Sequence, residues 1–118
     1  ILHVGHIQML NYAKCLGDYL IVGIDGDERV KSLKGDSRPI NSERDRSMLL
    51  SNLKAVDEVK IFRSDEELIE LISNCDLMVK GSDYRNKPII GGSLVPICFY
   101  ELVDGYATTK TIERIANR

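Results

Sequence analysis

Two histidines and a glycine near the start of the chain have the types and spacing of a phosphate-binding site. The opening stretch, ILHVGHIQML, places His3 and His6 three residues apart around Gly5, ahead of a helical apolar pattern. Residues three apart share one face of a helix, and the N–H groups of a first turn favour an anion. Glycine weakens a helix but lets a ligand approach the backbone. This pattern therefore predicts that the start of the helix binds phosphate.

A metal site is the main alternative for this histidine pair. Imidazole is a common zinc ligand, but zinc sites take at least three protein ligands. No third ligand is obvious in the sequence, and Cys15 lies about three helical turns further along. We therefore predict no metal-ligating side chains. Surface histidines without a role are a further alternative, but they would leave Gly5 unexplained.

Helical and strand-like patterns alternate along the chain. Apolar periodicity and capping residues predict helices over residues 7–16, 25–33, from Asn41 or Ser42 to about 53, 64–73 and 108–118. Branched apolar runs predict strands over 18–24, 56–62, 75–81 and 94–102, with loops over 34–39 and 84–93. The alternation predicts one α/β domain over residues 1–118. Its expected architecture is a Rossmann-like, doubly wound parallel sheet in three α/β/α layers.

Composition narrows the class of partner. The chain has 118 residues and a net charge of −2, which gives no basic excess for a nucleic-acid partner. Its three cysteines show no Cys-x-x-Cys spacing, which is typical of thiols in a reducing compartment. No apolar run reaches the roughly 18 residues of a membrane-spanning helix. We therefore expect a cytoplasmic protein that binds small molecules and contacts neither nucleic acid nor membrane.

Polar residues collect where the predicted strands end. GIDGD follows the first strand, KGSDY the third and DGYATT the last. Ligands of open parallel sheets bind beyond the carboxyl ends of the strands. The opening histidines would join the same edge if a further strand ran into Ile1. These segments are therefore predicted to form one site.

The motifs at the two ends of the chain resemble those of a known superfamily. HVGH is similar to the His-x-Gly-His signature of nucleotidyltransferases, and GYATTKTI resembles the Ser-Thr-Thr-x-Ile motif of their last helix. LKGDSRPIN, LMVKGSDY and VDGYATTKTI look most like the adenylyltransferase domain that makes ADP-heptose from heptose 1-phosphate for the lipopolysaccharide core. Ala107 replaces the first serine of the family motif. The family's first strand is absent, so we expect it to have been lost ahead of residue 1.

The resemblance implies a reaction and its cofactor. AMP would pass from ATP to a sugar 1-phosphate, heptose 1-phosphate in the narrowest resemblance, with release of pyrophosphate. Magnesium would be held through the substrate phosphates, because Mg²⁺ keeps several waters and leans on substrate oxygens. The attacking phosphate oxygen is already ionised near neutral pH, since its second pKa is about 6, so little is gained from a general base. The family's habit also predicts a homodimer.

The resemblance assigns roles residue by residue. The expected catalytic residues are His3, His6, Lys34 and Arg46. The residues expected to bind the nucleotide and its phosphates are Gly5, Lys14, Lys80, Gly81, Asp83, Thr108 and Thr109. The residues expected to bind the second substrate are Asp27, Arg44 and Tyr84. Three of these have alternatives: Lys14 in solvent, Asp27 orienting Lys34, and Tyr84 packed on the core.

Other functions remain open at the level of sequence. A cytidylyltransferase acting on glycerol 3-phosphate or a related alcohol phosphate would keep the histidines and the fold. A nucleotide-binding module without turnover would keep the pocket, and Ala107 leaves that alternative open. A flavodoxin-like redox domain would share the fold class, but its phosphate loop and flanking aromatic residues are not seen.

Overall fold

Short branched segments form the strands, and amphipathic segments form the helices between them. The computed structural model describes residues 4–35 and 42–101. In chain order its elements are α1 (Val4–Cys15), β1 (Ile21–Asp25), α2 (Asp27–Lys34), α3 (Glu43–Ser51), β2 (Glu58–Phe62), α4 (Asp65–Ser73), β3 (Met78–Gly81), a 3₁₀ turn (Ser82–Tyr84) and β4 (Ile97–Tyr100). The predicted helix over 108–118 and the strand expected ahead of Ile1 lie outside the described residues.

All the described strands are parallel to their partners. β1 pairs with β2, so that Ile21 lies opposite Glu58, and β3 pairs with β4, so that Met78 lies opposite Ile97. The α/β class with parallel strands is therefore confirmed. Within the described part of the chain, however, the strands form two hydrogen-bonded pairs rather than one sheet.

The last strand is shorter than its apolar run predicted. Pairing of β4 begins at Ile97, directly after Pro96. Proline has no N–H and cannot donate to a ladder, although the Pro96 carbonyl still accepts a hydrogen bond from Met78 N at 2.9 Å. The proline therefore sets where the strand begins.

Serine side chains begin two of the helices, as the sequence predicted. Ser42 Oγ accepts a hydrogen bond from Asp45 N at 3.1 Å at the start of α3, and Ser64 Oγ accepts one from Glu67 N at 3.1 Å at the start of α4. Each cap pairs an N–H group that the first turn leaves without a helical partner. These caps fix where each helix begins relative to the preceding strand.

One apolar cluster holds α1 and α3 against the first strand pair. Its buried members are Leu10, Val22, Ile24, Leu50, Ala55 and Val56. On the other side of α1, Tyr12 packs against Tyr100 of β4, with ring centroids 5.1 Å apart. Helix α1 thus contacts both strand pairs. No helix in the described ranges is long and apolar enough to cross a membrane.

Truncation of Ile24 should measure how far the fold depends on this cluster. Ile24 is fully buried, so Ile24→Ala is expected to lower the free energy of unfolding by about 2–5 kcal/mol through lost burial and a cavity. Met48→Ala, at a side chain that is 55% exposed, should change it by less than about 0.5 kcal/mol. Urea denaturation measures both values, and equal effects would contradict this account of the core.

Candidate active site

The carboxyl ends of three strands place charged residues at one edge of the structure. Asp25 ends β1, Arg63 follows β2, and Gly81 ends β3 directly before the 3₁₀ turn that contains Asp83 and Tyr84. The edge predicted from the strand pattern is therefore where these charges meet.

Arg46 reaches this edge from α3 and is held there by Asp27. Arg46 is only 6% exposed, and its Nη2 donates to Asp27 Oδ1 at 3.0 Å. The same oxygen accepts a hydrogen bond from Glu43 N at 2.7 Å, and Asp27 N donates to Glu43 Oε1 at 2.9 Å. Asp27 therefore orients Arg46, a contact that the sequence analysis did not predict. Its expected role in binding the second substrate stays a prediction.

Arg63 extends this group of ion pairs. Its Nη1 and Nη2 donate to the two carboxylate oxygens of Glu43 at 2.9 and 2.6 Å. These bonds, together with the hydrogen bond from Asp27 N, hold the pKa of Glu43 down at about 2. We call the four residues Arg63, Glu43, Asp27 and Arg46 the edge network.

Lys80 is a second cation withdrawn from water at this edge. It is 8% exposed, and burial lowers the pKa of its ammonium group to about 8, while the nearby carboxylate of Asp25 acts in the opposite direction. Its Nζ lies 5.1 Å from the ring centroid of Tyr84. Asp25 also accepts a hydrogen bond from Arg29 Nε at 2.8 Å. The ends of β1 and β3 are thus electrostatically coupled.

Tyr84 is packed between charged neighbours. The ammonium group of Lys87 also lies 5.1 Å from its ring centroid, and the side chain is half-buried. Burial, followed by the charge of Asp83, raises the pKa of Tyr84 to about 12, so the phenol stays protonated. The described contacts of the Tyr84 ring are therefore with lysines, and its expected role in binding the second substrate stays a prediction.

Asp83 presents acceptors to this edge. Both of its carboxylate oxygens are buried, and neither accepts a hydrogen bond from any residue in the described ranges. A buried acceptor without a donor is costly, so such a group is suited to a ligand that supplies N–H or O–H groups. Its negative charge repels phosphate. The side chain therefore suits hydroxyl or amino groups better than the phosphates.

His6 and Gly5 lie buried in the first turns of α1. Lys14, by contrast, lies in the last turn, where its Nζ donates to Asp18 O at 2.8 Å and to Asp57 Oδ2 at 2.5 Å. Asp57 precedes β2, at the amino ends of the strands. The structure therefore does not bring Lys14 to the site.

The other predicted cations lie on the surface. Lys34 is exposed in the last turn of α2, and Arg44 is exposed in the first turn of α3. Arg46 and Lys80, by contrast, are buried. His3, Thr108 and Thr109 lie outside the described residues.

Comparison with known proteins decides the family. The family model described as cytidylyltransferase-like matches residues 1–91. The chain belongs to the cytidylyltransferase-like family. It is also 47% identical over 118 residues to the bifunctional protein HldE of a Nitratiruptor species and 46% identical to that of Aliarcobacter butzleri. Each alignment covers 98% of this chain and 25% of the relative, so the chain spans about a quarter of their length.

A solved structure agrees with this assignment. The lipopolysaccharide core biosynthesis protein from Thermoplasma volcanium superposes with a TM-score of 0.65 and is 28% identical, over 87% of this chain and 88% of that one. The recognition of a nucleotidyltransferase from its motifs is therefore confirmed at the level of the family, and so is the fold class.

Sequence reasoning missed several charged residues of this cytidylyltransferase-like domain. Asp25, Arg29, Glu43 and Arg63 were not among the predicted site residues. Two of them carried a usable signal, because Asp25 ends β1 and Arg63 follows β2 at the edge where ligands of such sheets bind. Glu43 and Arg29 are recognised only from their partners in space.

A protein cage for Mg²⁺ does not fit the described residues. No three histidine, cysteine or acidic side chains converge within residues 4–35 and 42–101 in a way that would hold a metal ion. The carboxylates of Asp25 and Asp27 are instead engaged by arginines.

Lys80 should give anion binding at this edge an alkaline limit. With its pKa near 8, Lys80 is protonated below that pH and loses its charge as pH rises through it. The affinity for tripolyphosphate should therefore fall above pH 8. Lys80→Arg should keep its affinity to pH 9.5, because arginine stays charged, and Lys80→Met should bind weakly throughout. Calorimetric titration across this range tests this, and an identical decline in Lys80→Arg would refute it.

Proposed function

We propose that this domain transfers AMP from ATP to heptose 1-phosphate and releases pyrophosphate, in the synthesis of a lipopolysaccharide precursor. The observation that carries the proposal is the pair of cations buried at the carboxyl edge, Arg46 and Lys80. Membership of the cytidylyltransferase-like family supports the reaction class. Similarity to the bifunctional protein HldE and to a lipopolysaccharide core biosynthesis protein supports the lipopolysaccharide assignment, and the resemblance of the motifs LKGDSRPIN and LMVKGSDY supports heptose 1-phosphate as the substrate.

The chemistry depends on charge rather than on proton transfer. An oxygen of the sugar phosphate attacks the α-phosphorus of ATP, and the bond from that phosphorus to the bridging oxygen breaks as pyrophosphate leaves. The attacking phosphate is already largely ionised at neutral pH. The barrier therefore comes from bringing two anions together and from the charge that collects on the leaving group. Fixed cations and hydrogen-bond donors lower both contributions.

In the proposal, the two buried cations bind phosphate groups in different ways. Arg46 suits bidentate binding of a phosphate, because its planar guanidinium is fixed by Asp27 on one side. Lys80 supplies a compact charge near the end of β3. His6, with Gly5, donates to the α-phosphate from the first turns of α1, and His3 joins it. Mg²⁺ bound through the ATP phosphates would neutralise part of their charge, which would add to the work of these cations.

The proposal also assigns roles to six other predicted residues, and among them it gives Asp83 the hydroxyl groups of a ligand rather than its phosphates. Thr108 and Thr109 bind the β- and γ-phosphates, Gly81 admits the nucleoside, and Lys34 and Arg44 approach the substrates from the surface. Asp83 accepts hydrogen bonds from hydroxyl groups of a sugar. The proposal includes a cytoplasmic location and a homodimer.

Pyrophosphate release with paired substrates tests the function. ATP or CTP, each with Mg²⁺, is combined with heptose 1-phosphate or glycerol 3-phosphate and the purified protein. We expect release only from ATP with the heptose phosphate. Release from CTP with glycerol 3-phosphate would keep the mechanism and replace both substrates. Binding of ATP without release in any pairing would identify a nucleotide-binding module.

Replacement of His6 separates catalysis from binding. Because its donors matter most as charge moves during transfer, His6→Ala should lower kcat at least about a hundredfold and change the Kd for ATP little. His6 is fully buried, so His6→Asn is paired with it to limit the cavity. Unchanged turnover in both variants, with the fold intact by circular dichroism, would contradict the role given to His6.

A further inference from the structure

The edge network links a buried arginine to the sheet through three further residues. Arg63 follows β2 directly, and Gly26 N donates to Phe62 O at 2.9 Å, which extends the pairing of β1 with β2 by one residue. Both ends of the link between Arg63 and Asp27 are thus fixed by the strand pair. Arg46, on α3, is therefore held by residues that the β1–β2 pair fixes in place.

The contacts of Asp27 show how the link operates. One oxygen, Oδ1, accepts both the Glu43 N–H at 2.7 Å and the Arg46 Nη2–H at 3.0 Å. The Glu43 side chain returns a hydrogen bond to Asp27 N at 2.9 Å. A shift of Glu43 therefore moves the oxygen that holds the Arg46 guanidinium. Asp27 and Glu43 begin α2 and α3, so this reciprocal pair also sets where the two helices start relative to each other.

Arg63 determines where the Glu43 carboxylate lies. Its guanidinium engages both oxygens of Glu43, and two parallel N–H···O bonds fix an orientation as well as a distance. The Arg63 side chain is 58% exposed, and exposed ion pairs add little to stability. A Cβ at position 26 would lie 2.9 Å from Arg63 Nη1, so glycine there leaves room for this guanidinium. The pair is therefore better suited to orientation than to holding the fold together.

We propose that Glu43 and Arg63 are positioning residues that hold the Arg46 guanidinium for phosphate binding, acting through Asp27. The inference rests on the role that the proposed function gives to Arg46. The Glu43 carboxylate stays ionised at neutral pH, so the link persists under ordinary conditions.

The test compares two backgrounds. Glu43→Gln and Arg63→Met are each made in the native chain and in Arg46→Lys, with Glu66→Gln, an exposed acid in the first turn of α4, as the matched control. The readouts are the Kd for tripolyphosphate, pyrophosphate release and the thermal midpoint.

In the native background, both variants should weaken tripolyphosphate binding about tenfold, since small misplacement of a phosphate-binding group is costly. In the Arg46→Lys background, the same two substitutions should raise the Kd for tripolyphosphate by less than about a further twofold, because the effects of groups that act as a unit are not additive. The control should bind as the native chain does.

The outcomes distinguish a positioning role of Glu43 and Arg63 from a purely structural role. A tenfold loss in both backgrounds, or a lowered thermal midpoint that accounts for the loss, would show a structural role and overturn the inference. Native-like binding by Arg63→Met would overturn it as well, and so would native-like binding by Arg46→Lys. Background-dependent binding without pyrophosphate release from any substrate pair would uphold the inference and reject the proposed transfer reaction.

Discussion

Positive charge withdrawn from water at the end of the strands is the constraint on which the rest of the site depends. Arg46 and Lys80 are each more than nine-tenths buried, and a buried cation is costly unless carboxylates lie near it. The carboxylate of Asp27 lies beside Arg46, and the carboxylate of Asp25 lies near Lys80. The two aspartates flank Gly26 in the sequence. The last residue of β1 and the first residue of α2 therefore place a carboxylate near each of the two cations.

The sequence predicted the edge at which charged residues collect, because that location follows from topology. Alternating strands and helices require parallel strands, and parallel strands bring their carboxyl ends together. The helix caps at Ser42 and Ser64 were predictable for a similar reason, since a capping hydroxyl and the N–H that it accepts lie three residues apart. Local rules thus predicted the elements and the edge, and the motifs predicted the nucleotidyltransferase family.

Which charges meet across the edge could not be predicted from local rules. Glu43 and Arg63 are twenty residues apart, and Arg29 and Asp65 are thirty-six apart. Nothing in the helical or strand period says which carboxylate a given arginine will reach. Lys14 shows the same limit, because its position on α1 was known but its partner, Asp57, precedes a strand that comes much later in the chain.

The distribution of charge also bears on the kind of ligand that fits. Arg46 and Lys80 attract phosphate, whereas the buried oxygens of Asp83, three residues after Lys80, repel it and accept hydrogen bonds. A simple anion would satisfy the cations and leave Asp83 without donors. Phosphate esters of sugars, nucleotides included, carry both an anionic group and hydroxyl donors on one molecule. The charges at this edge therefore suit a ligand that carries both kinds of group better than they suit a simple anion.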